Sequence, residues 1–278
     1  VLEIQSASKF VFVKPPINNP LFEGSVVLRN ETISVINLPG WLEVEMPEED
    51  FERSLIIFCN FNNRLVGLHV AEVTQLITRE WDKVRPFVPP EGLLENKNMN
   101  YTFLPDNETI CLILDVEQLL AEIMPEMVQS ATREVESVTD ADLHIPQALR
   151  DKTVLIAEDS KVAQMFLKKA FGSFNVNYRI FDNGKLLLEH ITALDNPNTD
   201  VPIVVTDLEM PEISGHTVVR ELKGDPRTRE IPIIVNSSMT NESSVREVQE
   251  LGADGFIGKP EMRVLVEEVV KLYNARQL

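Results

Sequence analysis

The chain has 278 residues, with 44 acidic side chains against 26 basic ones and a formal charge of −18 with histidine neutral. A surface of that sign repels nucleic acid and anionic lipid, so neither is expected as a direct partner, and no apolar run approaches the roughly 20 residues needed to span a bilayer. The length suggests about two domains, and both share the acidic excess: 20 acids against 9 bases in residues 1–130, and 24 against 17 in the rest. The opening Val1-Leu2-Glu3-Ile4 lacks the basic region and apolar core of a signal peptide. Cys59 and Cys111 each lie in an apolar β-like run. They read as buried free thiols of a reducing cytoplasm, with no CxxC pair and no metal-ligand spacing.

In chain order, short runs rich in Val, Ile and Phe occupy residues 10–13, 25–28, 32–37, 55–58, 65–69 and 109–114, separated by turn residues. No helical period is sustained before residues 116–123. The pattern predicts a mostly antiparallel β domain of small SH3-like barrels. It contains no Gly-rich phosphate loop, no His/Cys cluster and no catalytic triad, so it reads as a binding module. Residues 125–150, polar and rich in Glu, Thr and Asp, form a connection. Within it, 128–138 has the pattern to continue as helix, and 140–146 reads as a turn or break.

Beyond residue 150 the chain alternates strands and helices, and the strand ends carry unusual chemistry. Val154-Leu155-Ile156-Ala157 ends in Glu158-Asp159, and Ile203-Val204-Val205-Thr206 ends in Asp207. Ile233-Ile234-Val235-Asn236 leads to Ser237, and Phe256-Ile257-Gly258 leads to Lys259-Pro260. Asp207 and Ser237 are 30 residues apart, Ser237 and Lys259 22 apart, and each interval fits one helix between parallel strands. Brought to one sheet edge, the groups make a pocket of three carboxylates, a hydroxyl and an amine. Clustered hard oxygens suit Mg²⁺, an aspartate carboxylate can accept a phosphoryl group as a nucleophile, and a lysine with a hydroxyl can stabilise the charge of phosphoryl transfer. Strand-end acids are also common helix caps, but capping accounts for neither Lys259 nor the position of Ser237. A haloacid-dehalogenase-type phosphatase would place a second aspartate two residues after the first, where Glu209 stands here.

Helices are predicted after Ser160, where Val162, Phe166, Leu167 and Ala170 recur at helical spacing, and then at 185–193, 215–223, 243–251 and 262–275. A further strand, Tyr178-Arg179-Ile180-Phe181, falls between the first two, and 195–200 reads as a loop. The result is a doubly wound, flavodoxin-like α/β domain with its ligands at the carboxyl ends of the strands. His69, His144, His190 and His216 show no partner pattern, and the last two are expected on helix surfaces.

Residues 151–278 resemble the receiver domains of two-component response regulators. The resemblance rests on the double acid Glu158-Asp159, on Asp207-Leu208-Glu209-Met210-Pro211 with Gly215, on Ser237, and on Lys259-Pro260. It implies that Asp207 is the phosphoacceptor, that Lys259 pairs with the phosphate and that Ser237 moves to hydrogen-bond it. It also implies that Glu158, Asp159, Asp207 and the backbone carbonyl of Glu209 hold Mg²⁺. Phe256 takes the place of the family's switch aromatic, without a hydroxyl, so its inward movement would be a packing response alone. Glu209 and Met239 would flank the phosphoryl group, and a carboxylate there would deter the water that hydrolyses it.

Residues 1–127 resemble CheW-like chemotaxis coupling domains. Gly24-Ser25-Val26-Val27-Leu28-Arg29-Asn30 with Ser34-Val35-Ile36-Asn37-Leu38 is similar to that family's Gly-Val-Ile-Asn-Leu-Arg-Gly and Pro-Val-Ile-Asp-Leu segments. Gly67-Leu68-His69-Val70-Ala71-Glu72-Val73 and residues 110–120 match two later ones, with Asn30, Asn37 and Ala71 departing from the pattern. That family carries two or three strands ahead of residue 10, so a segment is expected to precede Val1.

A coupling domain (1–127), a partly helical linker (128–150) and a receiver (151–278) together resemble the CheV-type arrangement. The resemblance implies an adaptor in the cytoplasm, at the receptor-kinase array, that docks chemoreceptor cytoplasmic tips to the CheA histidine kinase and receives the phosphoryl group of the kinase phosphohistidine on Asp207. Arg29 is the expected β-domain contact. Direct membrane insertion is not expected, and the chain is expected to be no enzyme beyond its own phosphorylation and dephosphorylation. A phosphate sink draining the kinase uses the same residues and stays open beside this reading, with a phosphatase acting on a diffusible substrate as a third alternative.

Overall fold

The computed structural model describes residues 2–14, 19–47, 50, 52–61, 64–91, 94, 97, 99–105, 108–123, 143–259 and 261–277. They form two compact units, Val1–Thr78 with Pro89–Lys97 and Arg79–Val88 with Asn98–Leu278.

The first unit is built on strands β1 (Glu3–Ser6), β2 (Phe22–Leu28), β3 (Glu31–Asn37), β4 (Leu55–Phe61) and β5 (Arg64–Val70), in the spatial order β1-β4-β5-β3-β2. All neighbours are antiparallel except β3 and β5. Val26, Ile33, Val35, Ile56 and Phe58 form one buried cluster with Ala7, and along β3 and β4 they recur at the period of two that a half-buried strand requires. The turn between β2 and β3 is only Arg29-Asn30, with φ of 51° and 67°, the left-handed pair that matches strand twist in a two-residue hairpin. Asparagine tolerates that region, so Asn30 keeps a turn for which the family pattern has glycine. Asn37 likewise keeps a cap: its Oδ1 accepts the Gly40 N–H at 2.9 Å at the start of α1 (Leu38–Trp41), which buries Trp41. The strand expected at 10–13 reduces to a single bridge between Val13 and Ser25. Phe10 and Phe12 pack against the cluster from outside the sheet, Phe10 edge-on to Phe58 with centroids 5.5 Å apart.

In the second unit, β6 (Arg85–Pro86), β7 (Met99–Phe103) and β8 (Ile110–Leu114) make a small antiparallel sheet. Helix α2 (Val116–Ile123) follows, its first turn capped by Asp115, whose Oδ1 accepts the Gln118 N–H at 3.0 Å. The rest of the unit consists of α3 (Gln147–Arg150), β9 (Val154–Ala157), α4 (Lys161–Ser173), β10 (Tyr178–Phe181), α5 (Gly184–Thr192), α6 (Pro197–Asp200), β11 (Val204–Thr206), α7 (Gly215–Gly224), β12 (Ile233–Ser237), α8 (Glu242–Glu250), β13 (Gly255–Gly258) and α9 (Met262–Arg276). The sheet order is β10-β9-β11-β12-β13 with every pair parallel, the flavodoxin-like order. Both faces are covered, as the continuous apolar runs require. Ile156, Val205 and Ile234 pack with Phe171 and Val269 on one side, and Leu155, Val204, Ile233 and Val235 with Leu187, Val218 and Val219 on the other.

Several expectations shift by small amounts. Helix α5 begins at Gly184 because Asn183 caps it, accepting the Leu186 N–H at 2.9 Å. The expected loop 195–200 contains α6, with Pro197 at its first position. Ile145 and Leu149, read from sequence as part of the connection, are buried in the α/β core. Cys59 is buried as expected, while Cys111 is only half-buried, and burial pushes the Cys59 thiol up. His190 and His216 lie on α5 and α7 and are half-buried. The expected helical stretch 128–138, the boundary at 127/128 and Pro260 lie outside the described residues. Among the described residues, no helix is long and apolar enough to cross a membrane.

Candidate functional site

The carboxyl edge of the parallel sheet collects the expected groups. Glu158, Asp159 and Asp207 each place a carboxylate oxygen within 4.8 Å of the others. Lys259 Nζ lies 3.0 Å from Asp207 Oδ2 and 2.8 Å from Glu158 Oε2. The backbone fixes these side chains: Leu208 N–H donates to Asp207 Oδ1 at 2.6 Å, and Ser160 N–H donates to Glu158 Oε1 at 3.1 Å. Gln164 braces the same edge, donating 2.7 Å bonds to the Glu158 carbonyl and to Asp182 Oδ1. Gly215 enters α7 so close to the acceptor strand that a Cβ there would stand 1.9 Å from the Asp207 carbonyl oxygen, so only glycine fits.

The charges are unbalanced, and the ionisation equilibria show it. Burial, reinforced by Asp207, Glu117 and Asp159 and opposed by Lys259, holds Glu158 well above the ordinary carboxylate range. Burial and then the Asp207 charge push Asp159 up to about 8, and burial raises Asp207 as well. Burial alone would lower Lys259, but Asp207, Glu117 and Glu158 outweigh it and keep the ammonium charged. Glu209 sits at the exposed rim; partial desolvation there, with Asp207 next, pushes it up to about 7. A pocket with one ammonium among several clustered carboxylates is a place for a further cation, and its donors are the hard oxygens a divalent ion such as Mg²⁺ takes.

Ser237 is fully buried at the end of β12, its hydroxyl accepting the Met239 N–H at 3.1 Å and its carbonyl accepting the Lys259 N–H at 3.1 Å. Phe256 is half-buried against the core beside β12. Three further residues, not singled out from sequence, reach the same edge. Glu117 on α2 places Oε1 3.3 Å from Lys259 Nζ and accepts from Ser238 Oγ at 2.9 Å. Asn100 on β7 donates to Asp159 Oδ2 at 3.4 Å, and the charge of Asp115 also acts on Asp159. Asn100 and Glu117 are 59 or more residues from the pocket residues they bond, and no local pattern signals such a contact.

Arg29 belongs to the first unit, where it stands at the hairpin tip with 76% of its side chain exposed and pairs with Glu3 at 2.7 Å. That unit also holds an arrangement sequence reading did not expect: His69 Nε2 is 2.7 Å from Ser54 Oγ, and its Nδ1 is 3.2 Å from Glu23 Oε1. The order is that of a hydrolytic triad. Ser54 and His69 are both 0% exposed, however, so no substrate reaches the hydroxyl, and the three groups act as a satisfied polar cluster.

The response regulator receiver domain family matches residues 154–270, and the CheW-like domain family matches residues 3–124. The chain is 30% identical over 258 residues to the chemotaxis protein CheV2 of Helicobacter pylori, covering 89% of this chain and 79% of that one. It is 31% identical over 276 residues to CheV1 of the same organism, covering 92% and 81%. The chain belongs to the CheV family of chemotaxis proteins. A solved signal receiver domain of a histidine kinase from Syntrophus aciditrophicus is 29% identical with a TM-score of 0.40, covering 45% of this chain and 91% of that one. In this CheV-family chain Glu158, Asp159, Asp207, Ser237 and Lys259 fall inside the receiver match, whereas Asn100 and Glu117 fall inside the CheW-like match.

Proposed function

We propose that this CheV-family chain is a chemotaxis adaptor whose CheW-like part couples chemoreceptor cytoplasmic tips to the CheA histidine kinase, and whose receiver part takes a phosphoryl group from that kinase. One observation carries the reading: a buried Asp207 lies 3.0 Å from Lys259 and clusters within 4.8 Å with Glu158 and Asp159, in the same chain as a CheW-like domain. Asp207 Oδ forms the bond to phosphorus as the bond from phosphorus to the donor's histidine nitrogen breaks, its electron pair staying on the imidazole. Lys259 then faces a phosphoryl oxygen with an ammonium already held in place, so little reorganisation is needed. Ser237 keeps its hydroxyl proton while accepting from Met239, and donates that proton to the phosphoryl group. Glu158, Asp159, Asp207 and the Glu209 carbonyl would hold Mg²⁺, which when bound neutralises phosphoryl oxygens during transfer.

The phosphorylated site biases a two-state element, and Phe256, half-buried beside β12, follows the Ser237 movement by packing. In the CheW-like part, exposed Arg29 serves as a contact for the partners, and the assembly places the chain at the receptor-kinase array. Phosphotransfer from purified CheA is expected to label the wild-type chain and not Asp207→Asn, with receptor-array binding differing between the labelled and unlabelled forms. Equal labelling of the two, or array binding indifferent to phosphorylation, would overturn the reading.

A further inference from the structure

The receiver pocket is already occupied on one side by a carboxylate from the CheW-like part. Glu117 Oε1 lies 3.3 Å from Lys259 Nζ and accepts the Ser238 hydroxyl at 2.9 Å, while the same ammonium holds Asp207 and Glu158. The Lys259 ammonium is the cation that a phosphoryl group on Asp207 needs for one oxygen, and Ser238 directly follows Ser237, the hydroxyl at the end of β12 that would donate to it. A carboxylate offers two anionic oxygens, as a phosphoryl group offers three, and both seek charge-assisted partners. Lys259 is buried and already faces three carboxylates, so it cannot satisfy Glu117 and an added dianionic group together. Repulsion between them adds to the competition.

We propose that Glu117 is an internal competitor of the phosphoryl group, holding α2 against the receiver pocket in the unphosphorylated chain and expelled when Asp207 is modified. The proposal rests on Asp207 being the phosphoacceptor. Its consequence is directional: α2 directly follows β8 and lies inside the CheW-like match, so release of Glu117 acts directly on a segment of that match. Linkage makes the effect reciprocal, so whatever loosens Glu117 favours the phosphoryl group by the same factor. The Glu117 side chain is 25% exposed, which places the coupling between the small value of a surface pair and the larger one of a buried pair.

The test uses the full chain with beryllium trifluoride and Mg²⁺ as a phosphoryl mimic, its affinity read by calorimetry and the state of α2 by amide hydrogen exchange. Glu117→Gln is expected to bind the mimic about tenfold more tightly than wild type, equivalent to ~1.4 kcal/mol. Exchange across Val116–Ile123 should rise when wild type binds the mimic, and should already be raised in free Glu117→Gln, while β9 stays protected in every case. Glu117→Asp keeps the charge but shortens the reach, so it should behave like Glu117→Gln; wild-type affinity in that variant alone would mean a diffuse field and overturn the contact. Unchanged affinity in Glu117→Gln with unchanged exchange in α2 overturns the proposal but leaves the acceptor reading intact, provided Asp207→Asn abolishes binding. If Asp207→Asn binds the mimic as well as wild type does, the acceptor reading falls and this proposal with it.

Discussion

Asp159 shows how one residue couples the pocket's charge to its chemistry. Its carboxyl sits at about 8, raised by burial and by Asp207, against about 3.9 in an unfolded chain. A raised carboxyl pKa means that the fold favours the protonated form. That contribution to stability is complete below about pH 4 and is lost as pH rises through about 8. A divalent ion needs the carboxylate, so it must displace this proton. The apparent Mg²⁺ affinity of the chain is therefore expected to climb with pH, by about tenfold per unit below pH 8 for each displaced proton. Calorimetry in buffers of different ionisation enthalpy would show at least one proton released per ion at pH 6.5, from Asp159 and from any share of Glu158 and Asp207 still protonated, and fewer at pH 9. Affinity independent of pH would mean that Asp159 is already ionised in the metal-free pocket.

At the scale of elements, much of the receiver half is legible because its central strands bury both faces and several of its helices start at a polar cap. The runs at β9, β11 and β12 are continuous and apolar, and Ser160, Asn183, Ser214 and Asn241 each cap the helix that follows. The strand-end groups then converge because parallel strands end on one edge. The β half is less legible: residues 10–13 carry strand composition but use their rings for packing, and β7, with Asn100 and Thr102 between its larger residues, gives no clear apolar run. Glycine separates packing from propensity. Gly215→Ala would drive a Cβ against the Asp207 carbonyl at 1.9 Å, so a loss of about 2 kcal/mol is expected, as in overpacked cores, although alanine is the better helix former. Gly172, within α4, has nothing within 4 Å of the same added atom, so Gly172→Ala should gain about 0.5–1 kcal/mol. Denaturant midpoints for the two variants check both signs, and a stabilised Gly215→Ala would refute the close approach.

For the molecule as a whole, the two compact units do not coincide with the two family matches. Residues 79–88 and 99–123 lie inside the CheW-like match, yet they group with the α/β domain. Sequence periodicity identifies a strand but not the sheet it joins, so this division could not be read from the run at 109–114, and β7 gave no run at all. It has a measurable consequence, because cooperative units exchange their amides together. Amides of β7 and β8 are expected to share the protection of β9 to β13 rather than that of β2 to β5. Saturating Mg²⁺ acts on the unit that binds it, adding about 2.7 kcal/mol at a hundredfold excess over the dissociation constant, so protection should rise in β7 to β13 and stay unchanged in β2 to β5. Phe58→Ala, in the core of the first unit, should produce the converse pattern, lowering protection in β2 to β5 by about 3–5 kcal/mol. If β7 and β8 instead follow β2 to β5 under both perturbations, the CheW-like match folds as one unit, and the Glu117 contact joins two separately folding bodies.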